Sequence, residues 1–311
     1  MIKVVSLNPC IDWQYALPVF APGGLNRVRH TRQDIAGKGI NVAAALKNLG
    51  LSPMCTGVNF KENGHLLTDK LDALEIPHSF TEVDGAIRVN IKLYEESTGV
   101  MTELNQPGGL VPSHALENLR GKILNREGSA GTSDDILILS GSYPQGIPPC
   151  FYSEIISGWH GKVILDAEGE ALQLAVSQPQ KPPYAIKPNI YELESAFKVT
   201  LPNPKDISAF CQNLARQTGM KIICVSMGKN GAVIATEGES YYLPALDITP
   251  RGVHGAGDAM VAGLAYAMVH NLPIEEYLPT AMATAAATVV RDGTEMCSLD
   301  GFEAMRKKIP C

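Results

Sequence analysis

The chain has 311 residues, enough to bury a sizeable core; a prior of one domain per ~150 residues would divide it in two. Hydrophobic residues make up 45% and charged residues 19%, with 29 glycines and 21 prolines, which excludes disordered, collagen-like and low-complexity chains. A formal charge of -6 argues against a protein that coats nucleic acid or acidic membranes, while leaving room for a local basic pocket.

Short aliphatic runs alternate with longer helical patterns. Ile2–Leu7, Ile136–Ser140, Val163–Asp166, Ala185–Lys187 and Ile222–Ser226 are apolar nearly throughout, the pattern of strands buried on both faces. Between them, helices are predicted at Asn41–Leu49, Leu66–Leu74, Pro112–Leu124, Pro149–Ser157, Glu168–Val176 and Pro204–Gln217. Such alternation implies right-handed crossovers and an α/β fold with a mainly parallel central sheet.

Two stretches break the pattern. Residues 12–33 and 87–106 read as polar, alternating hairpins that could pair into a small second sheet, serving as a lid or a dimer contact. Arg88, Asn90 and Lys92 share one face there, and Val89, Ile91 and Leu93 the other. The last third holds a hairpin near Ala232–Tyr242, then helices at Gly257–His270, Ile274–Val290 and Asp300–Lys307. Their alanines and methionines suggest tight burial, with a methionine-lined surface as the alternative.

Seven cysteines (Cys10, Cys55, Cys150, Cys211, Cys224, Cys297 and Cys311) are scattered and never form a CxxC pair. Free thiols in a reducing compartment are expected, rather than disulfides or a zinc site. The Met-Ile-Lys-Val-Val start carries no leader pattern, and no apolar run approaches the ~20 residues of a membrane span. A cytoplasmic protein is expected.

The sharpest local signal is Gly255-Ala256-Gly257-Asp258, directly before an apolar helix. Free N–H groups at a helix start form an anion site. Asp258 is then either a helix cap or a general base beside an anion cradle. Ala36-Gly37-Lys38-Gly39-Ile40-Asn41 also precedes a helix, and is either a plain glycine turn or a phosphate or polyol contact. Neither a Walker A spacing nor a GxGxxG after the first strand is present, which counts against a nicotinamide-dependent oxidoreductase. In Lys187-Pro188-Asn189-Ile190-Tyr191-Glu192, Asn189 and Glu192 read either as a capping box or as a polar pair ordering Mg²⁺ water and phosphate. Ser140–Gly146 and Ser226–Gly231 close buried strands, where open α/β sheets bind ligands.

Taken in order, these segments resemble the PfkB (ribokinase-like) carbohydrate kinases, within them the 1-phosphofructokinase and tagatose-6-phosphate kinase branch. The likeness runs from Leu7-Asn8-Pro9-Cys10-Ile11-Asp12 through Ala36–Asn41, Arg88–Lys92, Ser140–Gly146, Lys187–Glu192 and Ser226–Gly231 to Gly255–Asp258. The resemblance implies a three-layer α/β/α fold with a β lid, and transfer of a phosphoryl group from Mg²⁺-ATP to a sugar hydroxyl. It implies Asp258 as the base and the N–H groups of Gly255, Ala256 and Gly257 as the anion hole. Asp12, Gly37, Gly39 and Asn41 are implied as sugar contacts, with Ser140 beside them. Lys187, Asn189, Ser226, Gly228, Gly231 and Gly257 are implied on the nucleotide side, and Glu192 on the metal through water. Arg88, Asn90 and Lys92 on the lid, with Lys38, Arg27 and Arg29, would hold a second phosphate on the sugar or form a solvated charged face.

The expected acceptor is fructose 1-phosphate, with tagatose 6-phosphate or an unphosphorylated sugar or nucleoside as alternatives. Gly252, Val253 and His254 depart from the acidic or hydroxyl residues that many relatives carry before the Gly-Ala-Gly-Asp turn. His254 would touch phosphate or serve the turn structurally. Nucleotide and sugar elements interleave along the chain, so residues 1–311 are expected to form one domain, dimerising through its lid.

Overall fold

The structure, a computed structural model, describes residues 1–124, 132–177, 181–252 and 254–309; Val253 and Cys311 lie outside them. The first strand, β1 (Ile2–Ser6), is wholly buried. It pairs in parallel with β4 (Pro53–Phe60) on one side and β8 (Ile136–Ser140) on the other. Beyond β4 lies β5 (His78–Val83); beyond β8 come β9 (Lys162–Asp166), β10 (Ala185–Ile186) and β11 (Ile222–Ser226), all parallel. An antiparallel hairpin, β12 (Ala232–Ala235) and β13 (Ser240–Leu243), completes nine strands.

The apolar runs are continuous because both faces of this sheet are covered by helices. Helix α1 (Lys38–Asn48) buries its glycine–alanine face beside β1. On Gly39 a Cβ would come within 2.6 Å of the Val5 carbonyl, so the helix seats this closely only without a side chain there. The connecting helices are α2 (His65–Ala73), α3 (Ala115–Leu124), α4 (Phe151–Gly158), α5 (Gly169–Ser177), α6 (Ile190–Phe197) and α7 (Pro204–Thr218). Helix α7 shows how sequence sets its ends: Asn203 caps it, Pro204 opens it, and left-handed Gly219 stops it.

The alanine-rich C-terminal segments become α8 (Ala256–Val269), α9 (Tyr277–Val289) and α10 (Leu299–Arg306). Thr284 Oγ1 of α9 donates to the Ala259 carbonyl of α8 at 2.8 Å, a contact allowed by small residues on both helices. Tight burial is therefore what the alanines serve, although Met260 and Met282 also line a cavity described below.

The two irregular stretches form the expected second sheet. Its strands β2 (Cys10–Leu17), β3 (His30–Ala36), β6 (Arg88–Glu95) and β7 (Val100–Asn105) lie in the order β3-β2-β6-β7. The hairpins are antiparallel, but β2 and β6 join in parallel, placing Asp12 opposite Asn90. One face carries Cys10, Asp12, Asp34, Asn90, Lys92 and Glu103. On the other face Ile11, Trp13, Ile35 and Val89 pack against the main core at the sheet's base. Farther out, Val100 and Leu104 are exposed.

Candidate active site

Strand order reverses between β1 and β8, since successive connections run outward from them in opposite directions. At such a point the two neighbouring loops diverge and leave a crevice at the strands' carboxyl ends. A cavity of 320 Å³ occupies it, lined by Ser6, Asn8, Lys38, Arg88, Asn105, Ser140, Gly141, Ser142 and Glu168. Asn8 Nδ2 bridges the crevice to Ser142 Oγ at 3.2 Å. Lys38 and Arg88, distant in sequence, thus face one small volume.

At the heart of the site lies Asp166, at the carboxyl end of β9 and 1% exposed. Lys187 Nζ stands 3.3 Å from its Oδ1 and Lys38 Nζ 3.5 Å from its Oδ2, while Ser140 Oγ donates to Oδ2 at 3.1 Å. Burial alone would raise this carboxyl, but Lys187, Lys38 and Ser140 outweigh it and hold it below the ordinary value. In turn Asp166, opposed by burial and assisted by Glu192, Asp258 and Glu168, keeps the Lys38 ammonium well above its usual range. Lys38 therefore stays charged in a site otherwise rich in carboxylates.

Gly255 takes the left-handed conformation (φ 76°) and opens α8 without any side-chain cap. Asp258 does not cap the helix. Its Oδ2 instead accepts a hydrogen bond from Asn41 Nδ2 of α1 at 2.8 Å. Burial first, then the Asp166 charge, push the Asp258 carboxyl from 3.8 up to about 6, against the pull of Asn41, Lys38 and Lys187. A carboxylate so placed is a competent base near neutral pH. The ammonium of Lys187 reaches the same turn: a Cβ on Gly257 would sit 3.3 Å from its Nζ. Backbone N–H groups and a fixed cation thus meet where negative charge would develop.

The lid supplies the opposite wall. Lys92 Nζ donates to Asp12 Oδ2 at 2.6 Å, and Asn90 Nδ2 to Asp12 Oδ1 at 3.0 Å. Burial opposes ionisation of Asp12, but Lys92, Cys10 and Asn90 prevail and lower its pKa. Lys92 is 6% exposed, so the solvated-face reading does not describe it, and its charge already has a partner. Arg88 Nη1 donates to the Gln106 carbonyl at 2.9 Å, while its buried Nε has no hydrogen-bond partner among the described residues. Arg27 is exposed in the 18–29 connection and lies outside the cavity lining, while Arg29 pairs with Glu96 at 3.0 Å.

On the far side of α8 a cavity of 600 Å³ runs between Ser226, Gly228, Gly231, Leu246, Pro250, Ala256, Gly257, Met260, Ala285 and Val289. It is mostly apolar and ends at the Gly255–Gly257 turn, the arrangement a flat aromatic base with a phosphate tail requires. Asn189 and Glu192 form a complete capping box: Asn189 Oδ1 accepts from the Glu192 N–H at 2.9 Å, and Glu192 Oε2 from the Asn189 N–H at 2.8 Å. Among the described residues, no three His, Cys, Asp or Glu side chains converge as a metal cage. A divalent ion would be held mainly by nucleotide phosphates and water, with Asp166 and Glu192 supplying negative charge nearby.

The motifs did not single out Asp166 or Glu168, and Asn8 stood within the first motif with no role given to it. A charge closing an apolar strand was the available signal for Asp166. The apolar lining of the larger cavity, on the 244–250 stretch and α9, gave none.

The comparisons agree with this geometry. Residues 1–300 match the pfkB family carbohydrate kinase description. The chain is 29% identical over 310 residues to the 1-phosphofructokinase of Borreliella burgdorferi (98% of this chain, 96% of that one). With the 1-phosphofructokinase of Escherichia coli it shares 30% over 311 residues (99% and 97%). Phosphofructokinase-2 from Escherichia coli, solved in complex with substrates and products, superposes with a TM-score of 0.92 at 26% identity, covering 99% of each chain. A ribokinase-like sheet and lid, a lysine-flanked helix start over a buried carboxylate, and a family match across nearly all its length lead to one conclusion: this chain belongs to the pfkB family of carbohydrate kinases.

Proposed function

We propose that this enzyme transfers the terminal phosphoryl group of ATP to fructose 1-phosphate, giving fructose 1,6-bisphosphate and ADP. The observation that carries the choice of acceptor is the meeting of Lys38 and Arg88 in one small cavity at the strand-order reversal. An unphosphorylated sugar would leave the Arg88 Nε buried and unpaired. A sugar phosphate offers oxygens to both cations. Names of the curated relatives support the same acceptor.

In this reading Asp258 takes the proton of the attacking hydroxyl, and Asn41 holds its carboxylate in line. The N–H groups of Gly255, Ala256 and Gly257, with Lys187, stabilise the transferring phosphoryl group. Asp12, Asn90 and Asn41 receive the sugar hydroxyls; Asn90 Oδ1 and Asn41 Oδ1 are buried acceptors with no donor among the described residues. Gly37 and Gly39 hold α1 against β1 beneath the sugar, and Ser140 positions Asp166. Arg27 would join them by folding of the 18–29 connection over a bound phosphosugar. Ser226, Gly228 and Gly231 border the adenine and ribose. Mg²⁺ bound by ATP supplies charge neutralisation, with Glu192 contacting it through water.

The residues 1–311 act as one domain, since the sugar side, drawn from residues 6–168, is completed by Asp258 of the C-terminal third, which Asn41 holds. Exposed Val100 and Leu104 on the outer lid face support a homodimer through the lid, which Leu104→Lys would convert to monomer in gel filtration. Among the described residues no helix is long and apolar enough to cross a membrane, and we place the enzyme in the cytoplasm.

The test is coupled ADP release with fructose 1-phosphate, tagatose 6-phosphate, fructose 6-phosphate and free fructose. Fructose 1-phosphate is expected to give the highest kcat/KM. Free fructose as the best acceptor would overturn the proposal, and tagatose 6-phosphate would redirect it within the family.

A further inference from the structure

His254 directly precedes the Gly255–Gly257 turn, and its side chain reaches the lid. Its Nε2 lies 2.7 Å from Oε1 of Glu103, a β7 residue 151 positions away in sequence. Burial opposes ionisation of Glu103, but the bond to His254 and the charges of His254 and Lys92 prevail and lower its pKa. An ionised carboxylate only accepts hydrogen bonds, so the His254 Nε2 carries the hydrogen and donates it.

Three facts give the contact consequence. First, Glu103 stands opposite Lys92 in the β6–β7 register, and Lys92 holds Asp12 at 2.6 Å. Asp12, Lys92, Glu103 and His254 therefore form a row of polar side chains, from the lid's sugar-facing wall to the edge of the anion hole. Second, only one peptide bond separates His254 from Gly255, the residue whose left-handed conformation aims the N–H groups of α8. Third, two other polar ties between lid and body lie far from this one: Arg32 faces Glu295 at 3.7 Å, and Lys70 Nζ reaches the Ile35 carbonyl, both on β3 at the opposite edge of the lid sheet. The Glu103–His254 bond is thus placed to couple the β7 edge to the anion hole.

We propose that Glu103 and His254 are a positioning pair that joins lid closure over the sugar to the alignment of the Gly255–Gly257 anion hole. Neither touches the reacting atoms. When the lid closes, Glu103 draws on His254 and sets the turn; when it opens, the turn loses that restraint. The proposal rests on the kinase reading above, and deepens it by linking its two half-sites.

The test is a double-mutant cycle with Glu103→Ala and His254→Ala, read in wild-type-validated assays with fructose 1-phosphate and ATP. Each single variant is expected to lower kcat about tenfold while the KM for ATP stays within twofold, because the adenine cavity is untouched. The double variant is expected to be no slower than the slower single one, and His254→Gln, which keeps an N–H donor, should recover most of the rate. Amide hydrogen exchange should rise in β6, β7 and the 254–258 turn in either single variant, with the central strands unchanged. Additive losses in the double variant, or exchange confined to one side of the contact, would overturn the coupling. Wild-type inactivity toward every sugar phosphate would instead sink the kinase reading, and the exchange experiment would still judge the contact.

Discussion

The two halves of the active site bury opposite kinds of surface. The cavity proposed for the nucleotide is lined in part by Met260, Ala285, Val289 and Leu246, side chains that recognise by area and shape. The side proposed for the sugar holds a buried ion pair, Lys92 with Asp12, and buries Asn8 Oδ1, Asn41 Oδ1, Asn90 Oδ1 and Arg88 Nε, which have no hydrogen-bond partners among the described residues. Each such atom costs about 1–3 kcal/mol until a ligand satisfies it. A polar site of this kind rejects molecules lacking the matching groups far more strongly than an apolar pocket can. Selectivity should therefore reside in the lid half, and ATP affinity in the other.

The largest effect is expected where the halves join. Asp258→Asn should lower kcat by about 10²–10⁴ while ATP binding, followed by calorimetry, stays intact. A near-normal rate would remove Asp258 from the role of base. The same change should stabilise the fold. The Asp258 carboxyl titrates at about 6 when folded against 3.8 ordinarily, so both states are protonated below pH 4. Between these values the unfolded chain ionises first and stability falls. Above pH 6 the cost is about 3 kcal/mol, so Asp258→Asn should raise Tm at pH 7.5 and leave it nearly unchanged at pH 4. An equal Tm at both would contradict the burial argument.

Next in size is a change confined to the apolar half. Ala285→Phe, projecting into the nucleotide cavity, should raise the KM for ATP about tenfold and leave that for the phosphosugar within twofold. Equal changes in both would erase the division. A smaller effect is expected from pH: kcat/KM should rise through about pH 6 as Asp258 gives up its proton, and then level off. A flat profile between pH 5 and 7 would separate the rate from this carboxyl.

How much of this was legible in the sequence followed the same division between local and distant physics. Ile136–Ser140 and Ile222–Ser226 appear with the ends their apolar runs predict, because buried parallel strands need no partner to be recognised. Strands β4 and β5 went unseen: Pro53 and Gly57 interrupt one, and polar His78, Ser79, Thr81 and Glu82 the other. At the site, the Gly-Ala-Gly-Asp turn was legible, yet cap or base could not be separated locally. The Asn41 contact that decides it spans 217 positions. Strand alternation and the family resemblance together present Lys92 as a cation for phosphate. Its pairing with Asp12 depends on the parallel β2–β6 register, which neither hairpin encodes by itself.

The lid half is tested most directly by the ratio of kcat/KM for fructose 1-phosphate to that for free fructose, measured in the wild type and in Arg88→Ala. The expected result is a ratio that falls at least about tenfold in the variant, through loss of the phosphosugar activity alone, since a charged hydrogen-bonding partner contributes about 1.5–3 kcal/mol. An unchanged ratio, or an equal fall for both acceptors, would contradict a phosphate grip by Arg88 and with it the sugar-phosphate assignment.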